Sequence, residues 1–264
     1  MKTFYKPSEA IKWSKERLYN HGYVVKTERW QGVPSPDDMW EVMNHSFQMF
    51  IPKDIESLIE EVNPNLPWAD DHFDERIGGV PLNPPPSNEW WPYNRKKNEQ
   101  FKKDEMFSHT YPERIWPKKA PINNQTGKVR KKSLQGIRFE YGDMSDLIDM
   151  LEREPFTRQA FLPIWFPEDT GAPHKERVPC TIGYHFMRRG DRFHISYFIR
   201  SCDIIRHFRD DIYLACRKLY WILDSLKKRD PETWGEVEPG YYSMHIISLH
   251  CFNREKGILK QSNI

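Results

Sequence analysis

The sequence predicts an α+β fold, and three observations point to it. Some segments carry helical apolar spacing and others read as strands. The two kinds do not alternate as regular βαβ units. The chain has 264 residues, 38% hydrophobic and 14% aromatic, which is material for one large core and excludes a wholly disordered chain. We read residues 1–264 as a single domain.

The elements follow in order. Residues 9–19 (EAIKWSKERLY) space Ile11, Trp13, Leu18 and Tyr19 as a helix does. Residues 40–51 (WEVMNHSFQMFI) alternate as a strand. Residues 53–62 read as a helix with Asp54 as its N-cap. From 80 to about 135 the chain is rich in Pro, Trp, Asn and Lys, and the run PLNPPP at 81–86 fits neither a helix interior nor a central strand. Its many aromatics are a poor composition for a solvated tether, so we read 80–135 as an insertion of ordered loops with short helices. Residues 144–152 form an amphipathic helix closed by Pro155, and 160–166 a short apolar strand. Residues 178–188 and 192–201 read as two strands joined by a turn at Arg188-Arg-Gly-Asp191. The strongest helix is 210–227, with Ile212, Ala215, Leu219, Ile222 and Leu226 on one face. Residues 241–252 are a further strand-like run.

Composition narrows the function. No stretch approaches the ~18–20 apolar residues of a membrane span. The first residues show no apolar signal-peptide core, so no secretory signal is expected. The net charge of +2 argues against a polyanion coat but not against a small anionic ligand. Basic runs at 95–103 and 128–132 keep a nucleic-acid-binding or interaction module open as a reading from a different class. All four cysteines lie at or after position 180, and no CxxC pair exists. That distribution favours buried thiols in a reducing cytoplasm over a disulfide framework or structural zinc.

The residues that carry chemistry lie mostly in the C-terminal half. Pro179-Cys180 precedes a strand, Arg200-Ser-Cys-Asp203 begins twenty residues later, and Asp211 follows eleven after Arg200. His245 lies in the last strand. A cysteine beside an arginine can be held as a nucleophilic thiolate. Arginine with serine suits a phosphate, and a carboxylate suits an exocyclic amine. Each residue alone also has an ordinary structural reading: a buried cysteine, a solvated strand end, a core histidine, an Asp N-cap at 210 or 211.

Taken together, the motifs resemble the thymidylate synthase superfamily, and among its members most closely the deoxycytidylate hydroxymethylases. The resemblance covers roughly 144–252 and is looser upstream. It implies a mixed sheet with flanking helices and a sheet-mediated homodimer. It implies Cys180 as the nucleophile that adds to C6 of a pyrimidine nucleoside monophosphate. Arg29, Arg200, Ser201 and the partner's Arg158 would hold the 5′-phosphate. Asp203 and His245 would belong to the substrate site, and Tyr111 in Phe107-Ser-His-Thr-Tyr111 would lie near the nucleophile. The catalytic carboxylate is expected on the helix of residues 68–76, with Glu75 favoured and Asp71, four positions earlier, as its rival. 5,10-Methylenetetrahydrofolate would supply the one-carbon unit, with aromatic residues of the insertion stacked on it. Asp211, where thymidylate synthases carry Asn, would select cytosine, giving a dCMP hydroxymethylase. Thymidylate synthase proper, a hydroxymethylase of dUMP or CMP, and an inactive relative are the alternatives within the family. The sequence departs from the family pattern at Gln159, Thr181, His207-Phe-Arg-Asp210 and His245-Ile-Ile247.

Overall fold

A computed structural model describes residues 1–30, 33–93, 98–120, 142–171 and 177–260. The element order is β1 (Lys2–Phe4), α1 (Pro7–His21), β2 (Tyr23–Val25), β3 (Arg29–Trp30), β4 (Val33–Pro34), β5 (Met39–Phe50), α2 (Ile55–Val62) and α3 (Trp68–Ile77). Then come β6 (Lys102–Lys103), β7 (Met106–Phe107), α4 (Tyr111–Ile115), α5 (Met144–Arg153), β8 (Phe161–Pro163), α6 (Pro167–Thr170), β9 (Thr181–Arg189) and β10 (Arg192–Asp203). The chain closes with α7 (Phe208–Arg229), α8 (Pro231–Trp234) and β11 (Glu238–Phe252). The α+β reading holds. A mixed seven-stranded sheet runs β1-β5-β11-β10-β9-β8, with β2 also paired to β5. The other two strand pairs, β3–β4 and β6–β7, stand apart from it.

Local chemistry sets the helix ends. The Glu9 carboxylate accepts from the backbone N–H groups of Tyr5 and Lys6, fixing the start of α1 at Pro7. At its end, Gly22 lets Trp40 approach: Trp40 Nε1 donates to Leu18 O at 2.8 Å, and a Cβ on Gly22 would lie 2.4 Å from that nitrogen. Asp54 caps α2 as expected, accepting from Ser57 N at 2.7 Å. Asp143 caps α5 in the same way. The N-cap of α7 is His207, so Asp210 and Asp211 lie inside its first turn and neither is the cap.

Of the 80–135 insertion, the described part consists of 3-10 turns at Pro86–Trp90 and Asn98–Phe101, the β6–β7 pair and α4. Residues 94–97 and 121–135, with the basic run 128–132, lie outside the described residues. The 160–166 strand is shorter than expected because only Phe161–Pro163 pairs with β9. Strands β1 and β2 were not expected from the pattern.

The core lies between one face of the sheet and helices α1, α2, α5 and α7. β10 and β11 run parallel, so α7 must cross over between them, and it packs on that face. Phe47 of β5 is fully buried, with ring centroids 6.4 Å from Phe4, 6.0 Å from Phe208 and 6.1 Å from Tyr242. Ser14 of α1 meets His45 of β5 at 2.8 Å. On the opposite face Phe198 stacks on His245 at 4.9 Å and Phe161 lies 6.2 Å from Phe198. Phe161, Ile247 and Met43 are 41%, 46% and 51% exposed there, and no described helix covers them. Among the described residues no helix is long and apolar enough to cross a membrane.

Because Phe47 joins the first strand, α7 and β11 in one aromatic cluster, Phe47→Ala is expected to destabilise the fold by about 3–5 kcal/mol in urea unfolding. A loss under about 1 kcal/mol would show that this junction is not a core contact.

Candidate active site

The strand geometry gathers residues far apart in sequence. Cys180 lies immediately before β9, whose partner β10 carries Arg200 and Ser201. The backbone N–H of Arg200 donates to Cys180 O at 2.9 Å. Its Nε donates to Pro179 O at 2.9 Å and Nη2 to Val178 O at 3.1 Å, leaving Nη2 3.9 Å from Cys180 Sγ. Arg200 therefore braces the cysteine segment as well as setting a positive charge beside the sulfur. Burial pushes the Cys180 thiol up, and Arg200 with Arg177 pulls it back. The four cysteines are all free thiols, Cys180 half-buried and the other three buried.

Two adjoining cavities share the wall formed by Arg177, Val178, Cys180, Ser201 and His207. The first runs between α3, α4 and α7 and is also lined by Trp68, His72, Arg76, Trp91, Tyr111, Asp211 and Leu214. The second opens at the ends of β5, β10 and β11 and is lined by Arg29, Arg200, Asp203, Ser248 and His250. Three arginines (29, 177 and 200) thus face one cleft beside Cys180, an arrangement suited to a phosphate.

Asp211 sits deep in the first cavity. Tyr197 Oη lies 3.4 Å from Oδ1 and Cys202 Sγ 3.6 Å from Oδ2. Burial raises its carboxyl from the ordinary 3.8 to about 7, against the pull of Arg76. The neighbouring Asp210 points elsewhere: its oxygens accept from Asn65 N at 2.9 Å and Nδ2 at 2.8 Å. Tyr111 Oη meets Thr181 Oγ1 at 3.0 Å, and that hydroxyl meets Tyr197 Oη at 2.8 Å. A hydroxyl chain therefore links Tyr111, which lines the same cavity as Cys180, to Asp211. Burial raises the Tyr111 phenol far above its usual range, so it stays a protonated donor. Beneath this layer Tyr184 stacks on Tyr197 at 4.7 Å, and Lys218 Nζ lies 3.6 Å from the Tyr184 ring centre.

The structure brings Cys180, Tyr111, Arg29, Arg200, Ser201, Asp203 and Asp211 to these two cavities. It does not bring the others. Glu75 lines neither cavity; its carboxylate takes Ser87 N and Ser87 Oγ, each at 2.5 Å. Asp71 is turned outward and accepts from Trp90 Nε1 at 3.0 Å. The α3 side chains that do line the cavity are Trp68, His72 and Arg76. His245 stacks on Phe198 on the outer sheet face, and the β11 histidine at the cleft is His250. The sequence signal for it is His250-Cys-Phe252, a His-x-aromatic pattern. Arg158 is exposed and lines neither cavity. Asp203 is held by the N–H groups of Ile205 and Arg206 and by the Arg206 guanidinium. Sequence reasoning missed Arg177, three residues before Cys180.

The structure resembles thermostable thymidylate synthase A from Bacillus subtilis, with a TM-score of 0.65 over 97% of this chain and 83% of that one, at 15% identity. The chain has the thymidylate synthase fold. Over 239 residues it is 21% identical to a putative thymidylate synthase of Methanosarcina mazei, covering 90% of this chain and 82% of that protein. No family model matches the sequence.

The raised Asp211 carboxyl has a consequence for stability. Between about pH 4 and 7 the folded state holds a proton that the unfolded chain has released, so unfolding free energy falls as pH rises through this window. Asp211→Asn removes that dependence. It is expected to be more stable than wild type at pH 8 by about 1–3 kcal/mol, with the gap closing towards pH 4, in urea unfolding at the two pH values. A gap independent of pH would show that Asp211 does not hold the proton.

Proposed function

We propose that the protein is a thymidylate synthase-like one-carbon transferase that hydroxymethylates C5 of dCMP. The observation that carries this reading is Asp211, enclosed in the same cavity as Cys180 with its carboxyl raised to about 7. A carboxylic acid offers one acceptor and one donor. Cytosine presents the complement, a 4-amino donor beside the N3 acceptor. Uracil reverses both positions, and an amide suits it better.

The second cleft takes the 5′-phosphate on Arg29, Arg177, Arg200 and Ser201. Binding energy from that remote group fixes the ring over Cys180. The thiolate adds to C6, and C5 becomes nucleophilic. The residues of the first cavity fit a folate. Trp68 and Trp91 give it an aromatic wall, and Trp91 Nε1 is a buried donor with no acceptor among the described residues. When bound, 5,10-methylenetetrahydrofolate supplies the one-carbon unit. Tyr111, a protonated donor hydrogen-bonded to Thr181, is placed to orient a water that would take the C5 proton. Water would then add to the transferred carbon as tetrahydrofolate departs, and expulsion of the Cys180 thiolate from C6 would release the hydroxymethylated nucleotide. The M. mazei relative's name favours a second reading, methylation of dUMP, in which the folate would supply hydride in place of water.

We also infer a homodimer through the outer sheet face, whose exposed Phe161, Ile247 and Met43 have no covering helix among the described residues. Exposed Arg158 then serves the partner's phosphate cleft.

Equimolar dCMP and dUMP are incubated with protein and methylenetetrahydrofolate, and the product masses are read. Hydroxymethylated dCMP is expected from wild type and no product from Cys180→Ala. Asp211→Asn is expected to shift the dCMP:dUMP preference towards dUMP by at least about 100-fold, the scale of a mispaired polar edge. Methylated dUMP from wild type would overturn the substrate assignment.

A further inference from the structure

Helix α3 turns neither of its candidate carboxylates to the cavity, and presents a guanidinium there instead. Arg76 is 5% exposed and lines the cavity with Cys180, Tyr111 and Asp211. Its Cζ lies 4.1 Å from the Tyr111 ring centre, and its Nε has no hydrogen-bond partner among the described residues. Among the described residues no carboxylate oxygen comes within 4.0 Å of its nitrogens. A buried cation left without a counter-ion costs several kcal/mol, so its retention calls for negative charge that develops beside it during the reaction.

The side chains behind Arg76 fix its position. Nη2 lies 2.7 Å from His72 Nε2. A guanidinium only donates, so Nε2 accepts and the imidazole proton sits on Nδ1. Nδ1 donates to Ser87 Oγ at 3.0 Å, and Ser87 Oγ donates to Glu75. Burial and the adjacent Arg76 lower His72 to about 4, which keeps the ring neutral and able to accept. Trp68 stacks on the imidazole at 4.8 Å.

We propose that Arg76 is the catalytic group that takes up the negative charge passed to the pyrimidine ring when Cys180 adds, with Glu75, Ser87 and His72 as positioning residues behind it. This rests on the pyrimidine reading above. In the step, the Sγ–C6 bond forms, the C5=C6 π pair moves into the ring, and the thiolate's charge goes with it. No leaving group and no oxidant are involved. Stabilising that charge by a fixed donor acts on the addition itself, not on nucleotide binding.

The test is exchange of the C5 hydrogen of dCMP in D2O without folate. Addition of Cys180, deuteration at C5, loss of the original proton and expulsion of the thiolate balance with water alone. Wild type is expected to exchange. Arg76→Gln is expected to exchange about 100-fold or more slowly, the cost of one lost charge-stabilising donor. Its dCMP affinity by calorimetry is expected to stay within about threefold, since the loss is confined to the transition state. Glu75→Gln is expected to show a smaller fall, also at unchanged affinity. If Arg76→Gln does not fold, Arg76→Lys replaces it, with exchange about tenfold below wild type at unchanged affinity, because a point charge replaces the fork. Wild-type exchange rates in the folded Arg76 variant, or a loss of affinity equal to the loss of rate, would overturn the proposal. Absence of exchange in wild type with dCMP, dUMP and CMP would instead overturn the pyrimidine reading and this proposal with it.

Discussion

The structure depends on how charges enclosed between α3, α7 and the sheet are answered. Asp211, Arg76, Asp210 and Lys218 all lie in that layer. An unanswered charge there costs more than almost any packing contact returns. Asp210 is satisfied by the backbone and side chain of Asn65. Lys218 rests on the face of Tyr184, and burial drives its ammonium well below the usual lysine range. Asp211 is answered by holding its proton. Arg76 is held by a neutral histidine, itself tied through Ser87 to the Glu75 carboxylate.

This accounting links fold to chemistry. The parallel β10–β11 pair requires the α7 crossover, and the crossover lays the first turn of α7 across the end of β10. Asp211 therefore meets Tyr197 and Cys202 without any loop to place it. The antiparallel β9–β10 pair brings Cys180 against Arg200, twenty residues away in sequence. Both placements are made by rigid elements, which hold a site more accurately than loops do. The layer is poorly stabilising as a result: a carboxyl that must keep its proton and a guanidinium without a counter-ion are retained at a cost to the fold.

Much of this was legible in the sequence because the signals were local. Cys180, Arg200, Ser201 and Asp211 stand in short motifs with fixed spacing, and the long helix and strand carry clear periodicity. The residues misplaced were those whose side-chain direction depends on phase. On α3, adjacent positions differ by about 100°. Placing Glu75 in the cavity therefore failed by one residue, with Arg76 facing in and Glu75 behind it. On β11 the core-facing positions run Tyr242, Met244, Ile246 and then Leu249, Cys251, so the alternation breaks between Ile246 and Leu249, and the histidine that reaches the cleft, His250, lies beyond that break. Strands β1 and β2 have three residues each and no pattern of their own; pairing with β5 makes them strands.

The central claim is covalent attack by Cys180 on a pyrimidine that Asp211 selects. The most direct measurement is the intact mass of the protein after incubation with 5-fluoro-dCMP and methylenetetrahydrofolate. Fluorine takes the place of the C5 proton and cannot be removed as a cation, so the thioether persists. The account predicts one nucleotide per chain, mapped to the peptide containing Cys180, with 5-fluoro-dUMP adding far more slowly. An adduct on Cys202, Cys216 or Cys251, or none with either nucleotide, would contradict it.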